Sequence, residues 1–120
     1  MIRVITSFKK AADKSAEWCS NYYRNSHVQL ARQAFLQFPY IRKFSTMKVL
    51  RQMEVIKGRQ LEPPEVLWLG EVYFDSLHEF DTYLRAQALP EQLADDRVYA
   101  SELDVYVCGE EEVILDRLQK

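Results

Sequence analysis

Apolar and polar positions alternate through Ile2–Phe8 (IRVITSF), a β-branched run that predicts a first strand. Lys9–Lys14 is a polar loop. Ser15, with Glu17 in the following turn, marks a helix start. From Ser15 to Phe35 there is neither Pro nor Gly, which predicts one long helix with Pro39 as its outer limit. Ile41–Ile56 reads as a second extended segment. Lys57–Glu65, with Gly58, Pro63 and Pro64, reads as a loop. Val66–Phe74 (VLWLGEVYF) is the strongest strand pattern. Ser76 and Glu79 then form a capping box for a second helix. Its apolar positions Leu77, Phe80, Leu84 and Ala88 share a face, and Pro90 ends it. A short helical piece, Glu91–Arg97, and a last strand, Leu103–Cys108, complete the chain. The order β-α-β-β-α-β predicts an α+β, ferredoxin-like fold. This is a four-stranded antiparallel sheet with helices on one face and strand order 4-1-3-2. With no repeat or linker, residues 1–120 read as one domain.

The period of two also assigns faces. Ile2, Val4, Thr6 and Phe8 point one way in the first strand, and Arg3, Ile5 and Ser7 the other. In the third, Trp68, Gly70, Val72 and Phe74 oppose Leu67, Leu69, Glu71 and Tyr73. Both faces are apolar, and the helices cover only one. A second copy packed sheet to sheet is the simplest cover for the other. The tail Glu110–Leu115 is acidic and then apolar. It either crosses to that copy or folds back over its own sheet. Glu71 is expected to pair with Arg3 across the sheet. Arg42, Lys43, Lys48 and Arg51 make the second strand a charged edge that discourages stray pairing.

Composition narrows the chemistry. The 120 residues carry 16 Lys and Arg against 18 Asp and Glu, a net charge of −2, which argues against a nucleic-acid partner. Three scattered Gly build no phosphate loop. Two Cys and two His form no spaced metal-ligand set, so neither metal nor cofactor is expected. No run reaches the length of a membrane span, and no basic-then-apolar leader precedes the first strand. A reducing, cytoplasmic location is the default expectation.

The remaining chemistry lies in His and Tyr. Cys19, Tyr23 and His27, four apart, share one helix face beside Trp18 and Tyr22. A neutral imidazole there can take and return a proton. The same position suits a core His bonded to a backbone carbonyl or a Tyr. Gly70, mid-strand beside Trp68 and Phe74, leaves either a cavity under the helices or a space that a helix residue fills. His78, in the first turn of the second helix, reads as solvated.

The segment Ser15–His27 resembles the helix signature Ser-x-Glu-Glu-Phe-x-x-Tyr-Trp-x-x-x-His of the EthD-like family of dimeric α/β barrels. Ser15, Glu17, Tyr22 and His27 fall in register. Glu71–Ser76 is similar to its Glu-x-Trp-Phe-Asp-Ser, and Pro39 with Arg42–Phe44 to its Pro-Gly-Leu-x-x-Tyr. Glu110–Ile114 resembles its acidic-then-apolar tail. Tyr23 stands where the family has Trp, Cys19 where it has Phe, and Phe44 for a frequent Tyr.

The resemblance implies a homodimer joined through the sheet face and the C-terminal tail. It also implies cofactor-independent chemistry on a hydrophobic oxygenated small molecule of polyketide, aromatic or lactone type. The reaction classes are decarboxylation, dehydration, isomerisation and cyclisation. The expected catalytic residues are His27, Tyr23 and Tyr83, the last at a place where related cyclases turn a Tyr to the cavity. The expected substrate contacts are Thr6, Tyr22, Phe44, Trp68, Gly70 and Val72. Two other readings stand beside this one: a cofactor-free oxygenase acting on a phenol, and a binding dimer without chemistry.

Overall fold

The computed structural model describes residues 1–86 and 89–118. Strand β1 (Ile2–Lys10) is followed by a helical run in three parts. These are α1 (Ala16–Tyr22), a π-turn (Tyr23–His27) and α2 (Val28–Phe35). Next come β2 (Ile41–Lys48), β3 (Gln52–Glu54), β4 (Arg59–Leu61) and β5 (Val66–Phe74). Helices α3 (Leu77–Leu84) and α4 (Leu89–Tyr99) lead into β6 (Ala100–Cys108). The main sheet is antiparallel in the order β2-β5-β1-β6, the ferredoxin-like arrangement the element order predicts.

Local chemistry explains the boundaries. The Ser15 side chain accepts from the Trp18 N–H, and that of Ser76 from the Glu79 N–H, so both helix starts are capped where the sequence places them. The second extended segment is shorter than expected. It stops at Lys48, and Gln52–Leu61 turns back on itself as the hairpin β3–β4. Gly58 makes that turn possible, at a φ of +66° that only glycine adopts freely. Pro90 does not end the second helix. The α3 run stops at Leu84, and Pro90 sits in the first turn of α4, where a missing N–H costs nothing. Ala88, on the expected face of that helix, lies outside the described residues.

The helices cover the face bearing Val4, Phe8, Val72 and Phe74, all buried. Two apolar clusters form there, one around Phe8, Cys19, Tyr23 and Tyr99, the other around Val4, Phe74, Phe80 and Tyr83. Between the pairs Ser7–Leu69 and Lys9–Val66, β5 carries one residue more than β1. This bulge breaks the alternation, so Leu67, expected on the open face, is buried with the first cluster.

The opposite face has no helix on it. Arg3 meets Glu71 there at 3.0 Å, as the cross-strand pairing predicts. Met47 and Tyr106 lie exposed beside Ile5 and Leu69. The tail starts on this side: Glu110 pairs with the amino terminus at 3.0 Å, and Glu111 pairs with Arg3. Beyond them Val113, Ile114 and Leu115 touch little, Ile114 being 92% exposed. The described tail therefore does not fold back over its own sheet.

Candidate active site

Where the two clusters meet, under the helices, lies a cavity of 280 Å³. Its floor is Val4, Val72 and Phe74, and its roof includes Phe35 and Phe80. Leu84, Leu93 and Val105 line it and are themselves about half exposed, so the mouth opens toward β6. Its polar lining is Thr6, Tyr23, His27, Tyr83, Gln92, Asp96 and Tyr99.

His27 closes the π-turn. Both end residues of that wider turn, Tyr23 and His27, are buried. Single π-turns of this kind recur at functional sites. His27 Nδ1 lies 2.7 Å from Asp95 Oδ2, and Asp95 Oδ1 accepts a 2.6 Å bond from the Tyr22 hydroxyl. An ionised carboxylate only accepts, so the ring carries its proton on Nδ1. The other nitrogen, Nε2, is 3.2 Å from Asp96 Oδ1, and Asp96 itself lines the cavity. The Tyr99 hydroxyl donates to the same Oδ1 at 2.6 Å. Asp95 thus orients the ring, and Nε2 is presented beside the Asp96 carboxyl at an apolar cavity, where a proton can pass between ring, carboxyl and a bound molecule. This is the arrangement a general base needs.

Burial pushes the Asp96 carboxyl above the usual aspartate range, partly opposed by the Tyr99 hydroxyl and His27. The folded state therefore holds this proton to higher pH than the unfolded chain. The associated stability is full below the ordinary aspartate pKa of about 3.9 and falls as pH rises through the raised value. Asp96→Asn removes that fall. Its urea midpoint should gain on the parent's between pH 4 and pH 7, and parallel curves would refute the assignment. Burial and Asp96 also raise Tyr99 far above the ordinary tyrosine value, so it stays a neutral donor. Tyr83 is pushed up to about 12 by burial.

The structure brings together six of the nine expected site residues: Thr6, Tyr23, His27, Phe44, Val72 and Tyr83 all line the cavity. The hydroxyls do not meet the imidazole, however. Tyr23 bonds to Thr46 at 2.8 Å, its ring stacked on His27, and Tyr83 donates to Gln92 at 2.6 Å. Tyr22, Trp68 and Gly70 lie off the cavity wall. Tyr22 serves Asp95, and Trp68 donates to Ser20 at 2.8 Å. Gly70 leaves no void, because a Cβ there would lie 2.5 Å from Thr6 Oγ1 and 3.4 Å from the Tyr23 hydroxyl. Its missing side chain makes room for those two groups. His78 is exposed, as expected.

Sequence reasoning did not single out Asp95, Asp96, Tyr99 or Gln92. A signal exists in retrospect: Gln92, Asp96 and Tyr99 stand at i, i+4 and i+7 and so share one face of α4. A polar stripe ordinarily faces water, whereas here it faces the cavity. Among the described residues, no three or more His, Cys, Asp or Glu side chains are grouped to hold a metal ion. No helix among them is long and apolar enough to cross a membrane.

No protein-family model matches the chain, and no curated protein does. Solved structures do. An EthD family protein of Bacillus halodurans superposes with a TM-score of 0.66 at 19% identity, covering 93% of this chain and 99% of that one. A dimeric protein of unknown function and ferredoxin-like fold from Bacteroides fragilis gives 0.65 at 13% identity, covering 88% and 92%. Hydroxynitrile lyase from Passiflora edulis gives 0.64 at 12%, covering 93% and 96%. The chain therefore shares the ferredoxin-like fold of an EthD family protein over nearly its whole length.

Proposed function

We propose that this chain is a cofactor-independent enzyme in which His27 moves a proton within a hydrophobic, oxygenated small molecule. The observation that carries the reading is the imidazole, oriented by Asp95 and turned beside Asp96 at the wall of an apolar cavity. Nε2 takes a proton from a carbon or hydroxyl activated by a neighbouring carbonyl. The imidazolium, held between two carboxylates, returns it to another atom of the same molecule or to a leaving group. Decarboxylation, dehydration, isomerisation and aldol-type cyclisation all consist of such steps. Gln92 is buried, accepts from Tyr83 and has no partner for its Nε2 among the described residues, which makes it a donor for the substrate oxygen. Tyr83 holds that amide, and Tyr23 walls the imidazole.

The uncovered sheet face, with Met47 and Tyr106 exposed, supports a homodimer joined through that face and the tail. A neighbour of the same fold is described as dimeric. The working location proposed is cytoplasmic.

Proton transfer is testable before the substrate is known. A panel of aromatic ketones and lactones is incubated with the protein in D₂O and followed by NMR. The expected result is deuterium at the carbon next to the carbonyl of at least one compound that binds, and no deuterium with His27→Gln. Binding without exchange would make the chain a binding protein. Dioxygen consumed with a phenol would make it an oxygenase.

A further inference from the structure

The tyrosine hydroxyls at the cavity have committed their protons inside the protein. Thr46 gives its own proton to the Leu69 carbonyl at 3.1 Å, so Tyr23 is the donor in the 2.8 Å bond between the two hydroxyls. Tyr83 donates to Gln92 and Tyr99 to Asp96, each at 2.6 Å. A bound molecule is left the Gln92 amide N–H, which has no partner among the described residues, and the Thr6 hydroxyl. Both are neutral. Among the described residues, no Lys or Arg lines the cavity. Arg24 and Arg32 are exposed and line a separate concavity, outside the wall that Phe35 and Phe44 form.

The charge that is present is negative. Asp95 and Asp96 hold His27 between them, at 2.7 and 3.2 Å. With one proton shared by Nε2 and the Asp96 carboxyl, the three groups carry a single negative charge, wherever that proton rests. Without it they carry two. An incoming carboxylate would meet this charge in apolar surroundings, with one amide and one hydroxyl to replace its water shell. An uncharged carbonyl needs only the amide. Its negative charge develops as His27 takes the proton, when the imidazolium is there to balance it. Gln92 and Asp96 stand one turn apart on α4, about 5–6 Å between Cβ atoms. A carbonyl oxygen at the amide thus leaves the adjoining carbon on the side of Asp96 and His27. The volume of 280 Å³ lies just below the roughly 300–1,000 Å³ of drug-sized sites, which suits a molecule of one or two rings.

We propose that the cavity takes uncharged ketones or lactones and rejects carboxylates, with Asp96 as the residue that sets the preference. This rests on the proton-transfer reading above and adds the charge of the molecule. Decarboxylation of a free acid then drops out of the reaction classes, and isomerisation, dehydration and cyclisation remain.

The test uses matched pairs: acetophenone with benzoate, 2-acetonaphthone with 2-naphthoate, and dihydrocoumarin with its ring-opened acid. Affinities are measured by NMR titration of the ¹⁵N-labelled full-length chain at pH 7.5. The uncharged member should bind at least about tenfold more tightly. Equal or tighter binding of the acids, or binding of neither member of any pair, would overturn the proposal. Asp96→Asn should bring each pair to within about threefold, by tightening the acid and not by weakening the ketone. A loss shared by both members would make Asp96 structural and overturn its role. Leu93→Lys places a cation at the half-exposed mouth, where the fold tolerates it, and should tighten the acids about fivefold. No gain there would count against a charge-based preference. The same pairs in D₂O separate the two readings. Selective binding without deuterium exchange keeps the charge preference and overturns proton transfer. Exchange without a preference for the uncharged member does the reverse.

Discussion

His27→Gln is expected to lower proton transfer on any substrate of the cavity by about 10²–10⁴-fold, the range that a positioned acid–base group contributes. Glutamine preserves the bulk and can still donate to Asp95, but its amide neither takes nor returns a proton. Melting temperature should change little by comparison. Asp95→Asn should cost a comparable factor by a different route. An asparagine amide donating to Nδ1 would move the ring proton to Nε2, and the nitrogen beside the cavity would then already be protonated. The two losses should not multiply in the double variant, because both disable one base. A fully active His27→Gln protein would remove the imidazole from the mechanism and leave Asp96 as the remaining proton carrier on the wall.

The largest effect on stability is expected at Tyr99. It is 1% exposed, and its ring packs against Phe8, Tyr22, Tyr23 and His27. Its backbone carbonyl accepts from the Ala11 N–H at 2.8 Å, which ties the end of α4 to the end of β1. Tyr99→Ala should cost about 3–5 kcal/mol, as large-to-small changes at buried aromatics do. Tyr99→Phe keeps the ring and removes only the hydroxyl that donates to Asp96. Its cost should be about 1–3 kcal/mol, the penalty of a buried acceptor stripped of its donor. Urea denaturation measures both. Equal losses in the two variants would mean that the hydroxyl, and not the packing, is what Tyr99 supplies.

The two histidines show how far the chain could be read without coordinates. His78 follows a cap serine by two residues, and local sequence suffices to place it in solvent. His27 was traceable to a buried helix face by its spacing from Cys19 and Tyr23. Its partners were not traceable, since Asp95 and Asp96 lie 68 and 69 residues away on a helix with no clear apolar face. Strand order follows from the order of elements, and the sheet faces from hydrophobic alternation, a two-residue period that survives in any regular sheet. The alternation fails at Leu67, where a bulge adds a residue that no composition reveals. Gly70 is expected from sequence to leave either a cavity or a space that a helix residue fills, and the space goes to Thr6 and the Tyr23 hydroxyl. A glycine reports that something approaches closely and does not report what.

The π-turn gives the first helical run two independent bearings. Upstream of it, Cys19 is fully buried and Ser20 takes the Trp68 indole bond, both fixed by packing on the sheet. Downstream, α2 buries Val28, Ala31 and Ala34. A regular α-helix would couple these halves rigidly at about 100° per residue. The wider turn carries the offset between them, with His27 at its far end. Lineages that lose or gain one residue between Tyr22 and Val28 would keep both halves of the helix and re-aim only the imidazole. Single-residue length changes in this turn are therefore where relatives of this chain would be expected to part in chemistry while keeping a common scaffold.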